Sequence, residues 1–173
     1  MRHRHCLWAI FTALLWTASA AAAGDDSAQF EMLDGTTATL EQFRGRGKWL
    51  VVKIWASNCH VCNETAHEMV SLSNHRGHDM QIVGIAVDAN GNRPGVLAFI
   101  ERHALNYPVL FDDGQGTAYI YRRDVQQDWG GWTPTYLIYS PQGDLVARNI
   151  GAVAESDVVQ FVDSYPPESR PGS

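Results

Sequence analysis

Cysteine and contiguous basic charge are both scarce in this sequence, and each scarcity excludes a class of protein. The 173 residues contain three cysteines, Cys6, Cys59 and Cys62, which are too few for a framework of several disulfides. A structural zinc site usually draws four ligands from two cysteine pairs, and the sequence has no second pair. No basic stretch follows the N-terminal head and the formal net charge is -6, so we expect no nucleic-acid partner.

The composition also lacks the marks of disorder and repetition. Hydrophobic residues make up 45% and charged residues 18% of the chain, which is typical of a globular protein. The length suits one domain with a sizeable core, and no internal repeat is visible. We place this domain at residues 24–165 and expect a disordered tail at residues 166–173, which opens with two prolines.

The N-terminal segment has the pattern of a secretory signal peptide. A basic head, Met1–His5, precedes an apolar run, Cys6–Ala23, that ends in small residues before Gly24. We therefore predict a cleaved signal peptide at residues 1–23 and a periplasmic or secreted location. The alternative is a retained membrane anchor, because the run is near the lower length limit for spanning a bilayer.

Strand and helix patterns alternate along the predicted domain. Trp49–Ala56 is β-rich and almost wholly apolar, which predicts a central strand buried on both faces. A helix is expected over residues 59–74, with Val61, Met69 and Leu72 facing inward. Further strands are predicted at 28–33, 81–87, 108–111, 135–139 and 145–149, and further helices near 94–100, 118–122 and 155–165. This order predicts an α/β fold with a mixed central sheet and helices on both faces.

The pair Cys59 and Cys62 falls at the predicted junction of strand and helix. Free N–H groups and partial positive charge at a helix start stabilise a thiolate on Cys59, and the thiolate is the nucleophile. Cys62 lies one turn further on and can resolve a mixed disulfide. His60 can carry or polarise a proton beside the thiolate. A disulfide over so short a loop stabilises a fold very little, so a catalytic redox pair is the better interpretation.

Four alternatives to a redox dithiol remain open from the residues alone. The pair could be an inert disulfide, or it could bind a metal with His60 or His67 as a third ligand. A copper-binding module would use the soft thiolates of both cysteines for Cu(I). A peroxiredoxin would require a threonine two or three residues before its reactive cysteine, and none is present. We predict no metal and no cofactor.

Several motifs occur in the order of a known family. The segment from Trp55 to Cys62 resembles the WASxCxxC signature of the TlpA/ResA-like branch of the thioredoxin superfamily. The resemblance runs from about Phe30 to Phe161. Its other parts are Asp34-Gly35, Lys48, the segment 107–112, Trp132-Thr133-Pro134-Thr135, the segment 141–144 and Gly151. The chain is thus identified as a TlpA/ResA-like thiol–disulfide oxidoreductase.

This resemblance implies a fold, an activity and a set of partners. It implies a thioredoxin-like fold with an N-terminal strand extension, and an enzyme that exchanges protein disulfides outside the cytoplasm, with reduction favoured. Its partners would be protein thiols or disulfides and a membrane-bound electron donor, and we expect a monomer. Pro134 would be cis and pack against the cysteine pair, while Thr133 presents its backbone to an extended substrate. Trp55, Thr133 and Pro134 are the expected substrate-binding residues.

The sequence departs from the family pattern around the cysteines. Asn58 stands where tryptophan is common, and His60-Val61 carries no proline. His67 stands where a helix-kinking proline is common, and Thr65 where an acid is common. These departures do not affect the residues that carry out disulfide exchange. They do mean that the family resemblance predicts neither the redox potential nor the partner of this protein.

Lys53 is the least expected residue of the predicted site. Thioredoxins resemble this strand but carry a buried acid at the matching position, beneath the second cysteine. By alternation, Lys53 shares a face of the strand with Val51 and Trp55. An ammonium there would favour nearby thiolates, and a desolvated neutral lysine could act as a base. The alternative is that the side chain extends along its apolar stem to solvent.

Overall fold

The computed structural model describes residues 27–166. The predicted signal peptide at residues 1–23, and with it Cys6, lies outside this range, as does the predicted tail beyond Pro166. The strands are β1 Gln29–Met32, β2 Thr37–Thr39, β3 Trp49–Trp55, β4 Met80–Ala86, β5 Val109–Phe111, β6 Thr135–Tyr139 and β7 Leu145–Ile150. The helices are α1 His60–Glu64, α2 Ala66–Arg76, α3 Ala89–Arg102, α4 Gln115–Ile120 and α5 Glu155–Ser164.

One mixed sheet contains all of these strands. Its order is β2-β1-β5-β4-β3-β6-β7. Strands β3, β4 and β5 are parallel to one another, whereas β6 is antiparallel to β3 and β7 to β6. The β1–β2 hairpin lies antiparallel against β5 at one edge, as expected of an N-terminal extension. The predicted α/β architecture with a mixed sheet is confirmed.

Strand β3 is buried along its whole length, because helices cover both faces of the sheet. Its residues Leu50, Val52 and Ile54 pack with Ile120 of α4 on one face. On the other face, Val51 packs with residues of α2 and α5. All seven residues of β3 are buried, so the prediction of a central strand covered on both sides is confirmed.

The helix predicted over residues 59–74 is broken in two at Thr65, whose φ of -104° and ψ of 13° are not helical. The Thr65 hydroxyl and the Thr65 backbone N–H both donate to the carbonyl oxygen of Val61, at 2.8 and 3.0 Å, so the side chain bonds back to α1 at the point where that helix ends. Met69 and Leu72 of α2 are buried as predicted, but Val61 of α1 is 36% exposed. The prediction for Val61 is wrong because Cys62 takes the inward position of this short helix.

A glycine in the centre of the sheet sets the space for the tryptophan that precedes the redox loop. A Cβ atom on Gly84 would lie 2.9 Å from Nε1 of Trp55 and 3.2 Å from the ring of Tyr107. Only a residue without a Cβ therefore leaves Trp55 where it is.

We expect Gly84→Ala to lower the free energy of unfolding by about 1–3 kcal/mol, because the added methyl overpacks a filled core. Gly91→Ala is the matched control, since a Cβ there would meet no atom within 4 Å. Urea unfolding of both variants measures the difference. Equal stabilities would mean that Trp55 moves aside without cost.

Candidate active site

Cys59 and Cys62 form a disulfide at the start of α1, with their Cα atoms 5.2 Å apart. Cys59 is the N-cap residue, and its Sγ accepts a hydrogen bond of 3.1 Å from the backbone N–H of Cys62. This donor favours negative charge on Cys59 once the disulfide is reduced. Cys59 is partly exposed, whereas Cys62 is fully buried. Access and hydrogen bonding thus both distinguish Cys59 from Cys62.

The loop before β6 lies against the exposed cysteine. The Thr133–Pro134 peptide bond is cis, which confirms the conformation that the resemblance implies. The carbonyl oxygen of Thr133 is 3.5 Å from Sγ of Cys59. The carbonyl oxygen of Pro134 accepts from the N–H of Gly151 at 2.9 Å, and that of Trp132 accepts from the Thr135 hydroxyl at 2.7 Å. Both sides of the loop are therefore anchored, while Thr133 faces the cysteine.

Trp55 lies beneath the site and not on its surface. Its side chain is 0% exposed, and its ring stacks on Phe99 of α3 with centroids 4.1 Å apart. The prediction that Trp55 binds substrate is wrong for the side chain, because a fully buried indole cannot contact a docking polypeptide. Its role is to pack α3 against the end of β3.

Asp88 anchors the loop between Trp55 and Cys59. The backbone N–H of Ser57 donates to both carboxylate oxygens of Asp88 at 3.1 Å, and the Ser57 hydroxyl donates to one of them at 2.5 Å. Asn92 of α3 donates to the Ser57 hydroxyl at 2.9 Å. Charge-assisted bonds of this kind are strong, so the loop is fixed to the residue that precedes α3.

Asn63 holds the same loop from the other side, and the sequence patterns did not single it out. Its amide nitrogen donates to the carbonyl oxygens of Ser57 at 3.1 Å and Cys59 at 2.9 Å. Its amide oxygen accepts from Arg102 at 3.3 Å and lies 3.0 Å from Nε2 of His103. Nothing in its sequence position, directly after Cys62, indicates that it would bond to these residues 39 and 40 positions away.

His103 belongs to the surroundings of the site, although a solvated surface residue would be the default for a lone histidine. Its ring packs 4.4 Å from that of Phe99. The pKa of His103 is lowered by burial first, and then by the nearby positive charges of Arg102, Lys53 and His67.

His60 is on the surface beside the cysteines. Its side chain is 85% exposed, and Nε2 lies 3.1 Å from a carboxylate oxygen of Glu64 one helical turn away. The ring thus has an acidic partner on α1 and free access to solvent. Its effect on Cys59 remains a prediction.

Lys53 is buried in the core near α1 and α2. Its side chain and backbone together are 1% exposed, so the alternative in which it extends to solvent is wrong. Its ammonium donates to the carbonyl oxygen of Thr65 at 3.1 Å, where the helix is broken, and lies 5.8 Å from the centre of the Tyr136 ring. Burial lowers the pKa of Lys53 to about 8, and the charge of Glu68 acts in the opposite direction.

Residues 27–166 contain neither a metal-binding cluster nor a helix that could span a membrane. No group of three or more His, Cys, Asp and Glu side chains there is arranged to hold a metal ion. His67, the other candidate third ligand, lies 3.2 Å from a carboxylate oxygen of Glu68. In the same residues, every helix is too short or too polar to cross a bilayer.

Comparison with known sequences gives a family and curated relatives. The model of the AhpC/TSA family matches residues 23–148. A thiol–disulfide oxidoreductase ResA of Halalkalibacterium halodurans is 28% identical over 155 residues, covering 87% of this chain and 81% of the relative. The protein of the same name from Bacillus subtilis is 22% identical over 166 residues, covering 95% and 88%.

Solved structures of similar fold include one named as a disulfide oxidoreductase and one named as a thiol:disulfide interchange protein. A secreted Mycobacterium tuberculosis disulfide oxidoreductase homologous to E. coli DsbE gives a TM-score of 0.62 at 22% identity, covering 79% of this chain and 94% of that chain. StoA of Bacillus subtilis gives 0.59 at 17% identity, covering 78% and 94%. A thioredoxin family protein of Chlorobium tepidum gives 0.66 at 21% identity, covering 79% and 92%. The predicted thioredoxin-like fold is confirmed.

The buried lysine gives a prediction for the pH dependence of stability. Between a folded pKa of about 8 and the ordinary value of 10.5, folded Lys53 binds fewer protons than the unfolded chain does. Stability of the oxidised protein therefore rises with pH through this window, by ~3 kcal/mol in all. Lys53→Met should lack the rise and be more stable than wild type at pH 7, because no charge is then buried.

Urea unfolding at pH 7 and pH 10 measures this difference. Lys48→Met is the matched control, because the chain has only these two lysines and Lys48 lies at the surface, where it donates to the carbonyl oxygen of Gly77. NMR titration of the two ε-methylene signals gives the pKa directly. A Lys53 pKa near 10.5, with parallel stability curves, would contradict the prediction.

Proposed function

Since the chain belongs to the AhpC/TSA family and is a thiol–disulfide oxidoreductase of the ResA type, we propose that it reduces disulfides of other proteins outside the cytoplasm. One observation supports this proposal above the others. The Cys59 sulfur accepts a hydrogen bond of 3.1 Å from the backbone N–H of Cys62. Because Cys59 is partly exposed, it can attack a substrate disulfide, whereas the buried Cys62 can react only with the mixed disulfide formed at Cys59.

The reaction proceeds in two exchanges. The Cys59 thiolate attacks one sulfur of a substrate disulfide, so that a Cys59–substrate disulfide forms and one substrate thiolate leaves. The Cys62 thiolate then attacks Sγ of Cys59, the internal disulfide forms and the second substrate thiolate leaves. Two electrons pass from the enzyme dithiol to the substrate, and its leaving sulfurs take up two protons. A second protein dithiol must then reduce the Cys59–Cys62 disulfide.

Substrate binding is assigned to the loop at Thr133 and Pro134. An extended polypeptide that pairs with the Thr133 backbone would bring its cysteine to Sγ of Cys59, which is 3.5 Å from the Thr133 carbonyl oxygen. Main-chain pairing tolerates many side chains, so this mode suits protein substrates of varied sequence. The exposed indole of Trp132, 48% accessible, is adjacent.

We propose that two further residues, Lys53 and His60, affect the ionisation and the redox potential of the cysteine pair. Lys53 acts through its buried charge near the break between α1 and α2, where it favours thiolates and makes the disulfide more oxidising than a carboxylate would. In its neutral form it can accept a proton. His60, with Glu64 at 3.1 Å, can carry a proton between solvent and the exposed cysteine.

The place of action and the partners also belong to this proposal. The basic head and apolar run at the N-terminus support export, and one solved structure of similar fold is described as secreted. Export fits a membrane-bound dithiol donor, since the cytoplasmic reductant pool is out of reach. We propose that the chain acts as a monomer.

The assignment of the two cysteines is tested by trapping. We expect Cys62→Ser to accumulate a mixed disulfide with a model protein disulfide substrate, because Cys59 can attack and nothing resolves the product. Cys59→Ser should accumulate none, since Cys62 is buried. Non-reducing gels and peptide mass mapping identify the linked cysteine. Trapping through Cys62 in the Cys59→Ser variant would reverse the assignment.

The direction of electron flow is tested by equilibrium with glutathione. A reductase should have a potential near the value of about -270 mV for thioredoxin, and a potential near the value of about -120 mV for DsbA would indicate an oxidase instead. Lys53→Met and His60→Pro should each shift the equilibrium to a more negative potential if these residues favour the thiolate. Lys48→Met serves as the control. A wild-type reduction potential in both Lys53→Met and His60→Pro would exclude the roles proposed for Lys53 and His60.

A further inference from the structure

The side-chain amide of Asn63 uses both of its ends at the redox loop. Its nitrogen donates to the carbonyl oxygens of Ser57 at 3.1 Å and Cys59 at 2.9 Å. Its oxygen lies 3.3 Å from the Arg102 guanidinium nitrogen and 3.0 Å from Nε2 of His103. A single side chain thus links the backbone on either side of Asn58 to the C-terminal end of α3.

The two carbonyl groups that Asn63 binds lie in the redox loop itself, one on Cys59 and one on Ser57 two residues before it. Each carbonyl oxygen carries partial negative charge, and a thiolate nearby is destabilised when such an oxygen turns toward it. The backbone N–H of Asn63 already donates to the Cys59 carbonyl oxygen at 3.1 Å, and the side-chain amide adds a second donor there and a donor to the Ser57 carbonyl oxygen, which neutralises part of the charge on both. It also fixes the backbone of Cys59, so that its Sγ stays within 3.1 Å of the Cys62 N–H.

Arg102 and His103 hold the amide in the orientation that this requires. An amide with its oxygen bound to cationic or N–H donors cannot flip without losing those bonds, and a charged donor strengthens the bonds at the opposite end of the group. Arg102 is itself exposed and is bonded to Asn63, not to the loop. Its positive charge therefore acts on the loop by polarising the Asn63 amide, which strengthens the bonds that the amide nitrogen donates.

We propose that Asn63 is a positioning residue for the exchange reaction, and that Arg102 acts through it to raise the reactivity of Cys59. The proposal rests on the use of Cys59 as nucleophile in the proposed function. It adds that α3, which contributes no cysteine, helps to set the thiolate fraction and the redox equilibrium of the pair.

Asn63→Leu tests the first part, because leucine has a similar size and neither donates nor adds charge. We expect the Cys59 pKa to rise by about one unit, with roughly tenfold slower alkylation by iodoacetamide at a pH below that pKa. At a pH above the raised pKa, where reduced Cys59 is ionised, the glutathione equilibrium should shift about tenfold, or about 30 mV to more negative potential. Asn106→Leu is the matched control, since Asn106 bonds to Val70 and Asn74 away from the cysteines.

A purely structural role for Asn63 would lower the melting temperature of Asn63→Leu while the pKa, alkylation rate and equilibrium remained at wild-type values, and that result overturns the proposal. Should Asn63→Leu fail to fold, Asn63→Gln and Arg102→Gln supply the same readouts. Asn63→Gln should retain part of the reactivity, because it keeps an amide. If Arg102→Gln folds and has the wild-type Cys59 pKa, alkylation rate and glutathione equilibrium, Arg102 has no role in the reactivity of Cys59.

A double-mutant cycle of Asn63→Leu with Arg102→Gln tests the second part. If Arg102 acts through Asn63, its substitution should have little further effect once the amide is gone. Additive shifts would mean that Arg102 acts directly on the thiolate, and would overturn that part. All shifts are measured against wild type with glutathione, so they do not depend on the direction of electron flow, which the wild-type potential tests separately.

Discussion

The rest of the structure depends on the burial of β3 between two strands and two layers of helices. Its seven residues pair with β4 on one side and, over positions 50–54, with β6 on the other, and all seven are buried. The strand cannot shift without breaking both ladders and opening both halves of the core. Its C-terminal end therefore delivers the redox loop to a fixed place, where β6, entered through cis Pro134, brings Thr133 to the exposed cysteine.

Local patterns were enough to predict this framework. Three of its features depend only on neighbours in sequence. They are the apolar run that forms β3, the CxxC pair that follows it, and the alternation that places Lys53 on the same face as Val51. The cis conformation of Pro134 came from the resemblance, since an X-Pro bond alone favours trans. These features could be predicted because each depends on the chain within a few residues, or on a motif that carries its own context.

The remaining features of the site depend on contacts between distant parts of the chain. Trp55 has the same sequence neighbours whether it faces substrate or core, and its stacking on Phe99 decides which. Asn63 is an ordinary polar residue until α3 places Arg102 and His103 against its amide oxygen. Val61 faces outward because the adjacent Cys62 takes the inward position of α1. No pattern along the sequence reports on such packing, so the polar network around Cys59 became visible only in the fold.

Lys53 joins the framework to the chemistry. Burying an ammonium in the core costs several kcal/mol unless it is paired or loses its proton, and its partners here are a carbonyl oxygen at 3.1 Å, an aromatic ring and the charge of Glu68. These partners offset the cost only in part, which is why the pKa falls to about 8. The carbonyl oxygen that accepts from the ammonium belongs to Thr65, the residue at which α1 ends and α2 begins, so Lys53 bonds directly to the break between the two helices. Since α1 ends at Glu64, two residues beyond Cys62, the buried ammonium bonds to the chain three residues after the buried cysteine, which is how a residue of the central strand comes to act close to the redox pair.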